Sequence, residues 1–93
     1  MPAGQAEKAE VEEKLIGVES KVQIAQQAID NIKRSLESSG QLLNADTSAA
    51  AQRMQSSLQM ARRQFSAGNY SAAKESLAAA DAFAARALRA VGR

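Results

Sequence analysis

The side chains that most often carry chemistry are the first limit on this protein. It has no histidine and no cysteine. That removes imidazole and thiolate metal ligands, the imidazole general base and the thiol nucleophile together. The carboxylates Glu10, Glu12, Glu13, Asp30, Asp46, Glu75 and Asp81 remain. A two-metal helical bundle needs an inward-facing set completed by Glu-x-x-His motifs, and none is present. Glu12 and Glu19 stand seven apart on one helical face but flank the apolar seam instead of occupying it. Serine and threonine are plentiful, yet without histidine their activation requires a lysine base. The sequence therefore leads us to expect no catalytic residue, no metal site, no cofactor and no small-molecule ligand.

Arginines offer the other chemistry. Arg86, Arg89 and Arg93 are spaced three and four, a short basic stripe at the end of a helix, and Arg62 with Arg63 lies at the opposite end of the fold expected below. Bases at a helix end complement the helix dipole and need no ligand. As a functional reading, the stripe would bind phosphate or anionic lipid weakly, since no aromatic or Gly-rich element accompanies it. The charge balance says little more: up to Ala45 five bases face seven acids, and from Asp46 on seven bases face three, for a net +2.

The elements that position these residues are legible from composition and spacing. Ninety-three residues make about one small domain, expected to span 1–93. Of its 45% hydrophobic residues half are alanine, 21 in all, and aromatics are only 3%. This matches a long-helix protein with a thin core of large side chains. No stretch approaches the length of a membrane span, and Met1 to Glu13 lacks the apolar middle of a secretory signal, so the chain as given is expected to be soluble. The absence of thiols is compatible with cytoplasm and bacterial periplasm alike, and the compartment stays open.

Val11, Leu15, Val18, Val22, Ala25, Ile29, Ile32 and Leu36 alternate four and three without a slip, a heptad seam that Ile16, Ile24 and Ala28 are expected to widen. The first helix is predicted over about 5–39, closed by Gly40. Leu42 and Leu43 should plug the end of the bundle, and Asp46 or Thr47 should cap the second helix. Ala51, Met54, Leu58, Ala61 and Phe65 continue the spacing over about 47–67, with Met54, Met60 and Phe65 expected in the core. After Gly68, the positions Tyr70, Ala73, Leu77, Ala80, Ala84, Ala87 and Val91 define a third helix over about 70–91, with Phe83 and Leu88 on its shoulders. Short connectors make sequence neighbours antiparallel, so the fold expected is an all-α, up-down-up antiparallel three-helix bundle with a long first helix.

The length mismatch generates the functional reading. If the Gly40 turn pins the far end of helix one, its beginning, about Gln5 to Gly17, overhangs its companions. Val11, Leu15 and Ile16 then lack cover, and an uncovered apolar stripe marks a partner site, a second copy being the simplest partner. Gly17, at the junction, is a possible bend or a point of close approach. The expected function is a non-enzymatic helical interaction or assembly module, self-associating through the overlong helix; the alternative is a weak electrostatic binder of nucleic acid or anionic membrane through Arg86, Arg89 and Arg93.

Ala61, Gly68, Tyr70, Ala73, Leu77 and Ala80 resemble the tetratricopeptide repeat pattern, a tight helical hairpin, over about 20 of the 93 residues. Gln64 stands where that family usually has an aromatic, Ala85 where a proline is common, and no second copy occurs. The resemblance thus implies one hairpin and no peptide-binding superhelix. The run ARRQFSAGNYSAAKESLAAADAFA is also similar to alanine-rich helical bundle domains of the bacterial cell envelope. This implies a small bacterial accessory or assembly domain and transfers no functional residue.

Overall fold

The computed structural model describes residues 3–91, with side-chain surroundings from Gln5 onward. Three helices, α1 (Ala3–Ser38), α2 (Ala45–Ser66) and α3 (Tyr70–Val91), run up, down and up in an antiparallel bundle measuring 57 × 16 × 16 Å. Among the described residues no helix is long and apolar enough to cross a membrane. Both turns are closed by the same device. Gly40 (φ +74°) and Gly68 (φ +81°) adopt the left-handed conformation, which L side chains disfavour. The next N–H then reaches back over the helix end, Gln41 to the Leu36 carbonyl at 2.7 Å and Asn69 to the Gln64 carbonyl at 2.8 Å. The cap of α2 is Asn44, not Asp46 or Thr47: its side-chain oxygen accepts from the Asp46 N–H at 2.7 Å. Asp46 falls instead in the first turn, where its charge suits the dipole, and Thr47 is buried.

The core follows the heptad positions. Val11, Val22, Ala25 and Ile29 of α1 meet Ala50, Met54, Leu58 and Ala61 of α2 and Ala73, Leu77, Ala80, Ala84 and Ala87 of α3. Because the buried stripe of α3 is alanine at all but one position, backbones can approach closely. α2 packs most extensively on α3, α1 less so on α3, and α1 least on α2. The α1–α2 seam is accordingly bridged by polar side chains, Gln55 donating to Gln26 at 3.0 Å and Arg62 to Glu19 at 3.0 Å. Three of the large side chains planned for the interior are outside. Ile24 is 60% exposed, Met60 53% and Leu42 88%, while Leu43 alone of its pair packs half-buried against the core.

The expected overhang is corrected by the register. Lys21 pairs with Asp81 at 2.9 Å and Lys74 with Glu10 at 3.4 Å. At equal rise per residue, α3 therefore lies beside roughly residues 8 to 29 of α1. Val11 is fully buried, and Leu15 is half-buried against the same cluster. Phe65 and Tyr70, their rings 5.7 Å apart across the Gly68 turn, extend the covered part of the bundle in this direction. What projects at the start of α1 is Ala3–Ala9, with alanine as its only apolar side chain. The excess length is shared with the other end, where Ile32 and Leu36 outrun α3. α1 also passes unbroken through Gly17, and a Cβ there would meet nothing.

Two glycine substitutions separate these roles by urea unfolding. Gly17→Ala should stabilise the fold by about 1 kcal/mol, since helical backbone and open space are both available. Gly68→Ala should destabilise it by about 1 kcal/mol or more, because the left-handed conformation is required there.

Candidate functional site

Two surfaces carry the residues singled out by sequence. The first is the outward face of α1. A helix turns by about 100° per residue, so Ile16, one step past the inward Leu15, and Ile24, one step before the buried Ala25, both swing away from the core. They land on the two shoulders of the outward face, about 80° apart, and are 61% and 60% exposed. Ile16 is thus uncovered as expected, but because of its angular position and not because the helix overhangs. Of the three apolar partner candidates, Val11 belongs to the core, Leu15 to its edge and Ile16 to the surface. Sequence reasoning placed Ile24 in the seam. The signal that excludes it is the buried Ala25 beside it, since neighbouring residues on a helix cannot share a face.

The arginine stripe is also rearranged. Arg86 leans over the Phe83 ring at 5.8 Å from the centroid, and Arg53 of α2 approaches the same ring at 5.9 Å. Arg89 is exposed in the last turn, and Arg93 lies outside the described residues. The structure therefore couples Arg86 to Arg53 across the hairpin, a residue that sequence reasoning passed over. The signal was available: Arg53 and Phe83 stand fifteen residues either side of the turn glycine Gly68, which an antiparallel hairpin sets opposite one another.

Comparison with known proteins finds no similarity to report: no family model matches the chain, nor does any curated protein or solved structure.

The remaining polar chemistry is structural in form. Among the described residues no three carboxylates gather as a metal site would require. Ser71 and Lys74 stand at the S-x-x-K spacing that can join a nucleophile to a lysine base, a motif the sequence reading overlooked. Here the Lys74 ammonium turns to the Glu10 carboxylate at 3.4 Å, and Ser71 is exposed on the first turn of α3. Glu10 accepts from Lys74 and from Lys14, and these hydrogen bonds, with the attraction of the two ammonium charges, hold its carboxyl below the usual glutamate range.

The sign of that shift gives a pH dependence. A carboxyl whose folded pKa is depressed supports the fold above its unfolded pKa, and the support is lost as pH falls through the folded value. A carbon-detected NMR titration should show Glu10 titrating below the ordinary glutamate value, and Lys74→Met should move it back toward that value. An unchanged Glu10 midpoint in the variant would mean that Lys74 does not hold it.

Proposed function

We propose that this chain is a non-catalytic helical interaction module that self-associates through the outward face of α1. One observation carries the reading: Ile16 and Ile24, about three-fifths exposed, sit mid-helix on the one side of α1 that neither α2 nor α3 covers. Covering the three-fifths of each isoleucine that is still exposed would add about 1 to 2 kcal/mol, an appreciable contribution from a bundle whose own core is largely alanine. Between and just beyond them the face carries the uncharged Ser20, Gln23, Gln27 and Asn31, with Glu13 and Arg34 at its two ends; the uncharged stretch accommodates a neighbouring helix without burying an unpaired charge. Isologous pairing of the face with itself is the simplest closed arrangement. The resemblance of the alanine-rich run to cell-envelope bundle domains is in keeping with an accessory or assembly role and names no partner; the tetratricopeptide-like spacing of residues 61–80 implies a tight hairpin and no binding role.

Gel filtration with light scattering, from micromolar to millimolar protein, tests the proposal. The mass should rise from the 9.8 kDa of one chain toward twice that value, and Ile16→Glu with Ile24→Glu should hold the protein monomeric with unchanged helicity. A wild-type protein monomeric throughout the range would refute self-association.

A further inference from the structure

We propose that Arg53 and Arg86, gathered on the Phe83 ring at the outer edge of the α2–α3 hairpin, form a binding site for a phosphate group, whether free phosphate or the phosphomonoester of a lipid headgroup. The two guanidinium groups come from different helices and lie 5.9 and 5.8 Å from one ring centroid, within the range of cation–π attraction. Both line a single open cleft of about 500 Å³ whose remaining wall is Asp46, Ala49, Ala50 and Phe83. The methyl groups of Ala49 and Ala50 are too short to cover the arginine N–H groups, and both arginines are exposed.

Lys14, Lys21, Arg62 and Lys74 each have a carboxylate within 4 Å. Among the described residues Arg53 and Arg86 have none, although Asp46 shares their cleft. Lys8, Lys33, Arg34, Arg63 and Arg89 also lack an ion pair among the described residues, but only Arg53 and Arg86 combine that lack with a shared ring and a shared cleft. Both guanidinium groups border the one cleft, so an anion held there is attracted by two like charges that otherwise have no ion-pair partner among the described residues. The ring also limits the freedom of both side chains, so less conformational entropy remains to be lost when a ligand is captured. A guanidinium presents a planar fork of donors. A carboxylate occupies one fork, whereas a phosphate monoester, with three free oxygens and up to two charges, can engage both. The cleft is a local pair: Arg89, although only about 60° round α3 from Arg86, does not line it, and two arginines suit a single phosphate better than the repeating charge of a nucleic-acid backbone. Asp46, as an anion in the wall, opposes the ligand, and its removal should strengthen binding.

The site lies on α2 and α3 and does not depend on the association proposed for α1. Inorganic phosphate is titrated at constant ionic strength while the arginine Nε–H resonances are followed by NMR. Saturable shifts are expected at Arg53 and Arg86 and not at Arg62 or Arg63. Arg53→Gln and Arg86→Gln should each weaken binding about tenfold, and Asp46→Asn should tighten it several-fold. Vesicles containing phosphatidic acid, compared with phosphatidylglycerol, distinguish the source: selective binding to the monoester vesicles assigns a lipid headgroup, and saturation by phosphate without vesicle binding assigns a soluble ligand. Shifts that do not saturate, that spread over all arginines, or that survive the double substitution Arg53→Gln and Arg86→Gln would overturn the site. Since both arginines are exposed, unchanged circular dichroism of the variants separates lost binding from lost folding.

Discussion

The close approach of α2 to α3, permitted by buried alanines, is the constraint on which the rest of the molecule depends. Ala73, Ala80, Ala84 and Ala87 are fully buried, and a methyl group keeps two backbones nearer than a leucine would. Each such contact contributes little, about 1 kcal/mol or less for a single buried methyl. The interior therefore relies on the few larger side chains between them, Met54, Leu58 and Leu77, for bulk. α1 completes the core with valine, alanine and isoleucine and lies on a hairpin closed by Gly68 and the tilted ring pair Phe65 and Tyr70.

From that constraint comes the distribution of exposed surface. A hairpin of two 22-residue helices offers a wall about 33 Å long, while the 36-residue α1 measures about 54 Å. In the register marked by the Glu10 and Lys21 ion pairs to α3, the start of α1 projects with alanine as its only apolar side chain, while Ile32 and Leu36 outrun α3 and lie beside the start of α2. With only three helices, α1 also keeps one side free, and two isoleucines occupy it. Arginine clusters, by contrast, belong to the hairpin. The two proposed surfaces are thus separate consequences of one arrangement: an apolar face on the less extensively packed helix, and a basic cleft on the pair that forms the wall.

Much of this was legible in the sequence, for identifiable reasons. The three–four spacing of Val11 through Leu36 and of Tyr70 through Val91 reports helical periodicity directly, and the two glycines report the turns, so helix number, order and approximate bounds follow. Register does not, because it is decided by contacts between distant residues such as Lys74 with Glu10. Assigning all the excess length to one end of α1 consequently left Val11 uncovered, where the structure buries it. Ile24 and Met60 were read as core from their chemistry, whereas their angular positions turn them outward. Asn44 was masked as a cap by the two neighbours Asp46 and Thr47, whose side-chain oxygens could serve equally well. Arg53 became visible as a partner of Arg86 only when the hairpin was folded about Gly68.

The claim that α2 and α3 form the tight unit, with α1 laid upon it, is tested most directly by native-state amide hydrogen exchange resolved by residue. Protection should be greatest in the buried turns of α2 and α3 around Met54, Leu58, Leu77 and Ala80, lower in the middle of α1, and least in Ala3–Ala9 and Ile32–Ser38. If the amides of α1 proved the most protected in the chain, or if its two ends exchanged as slowly as the centre of α3, the account would be contradicted.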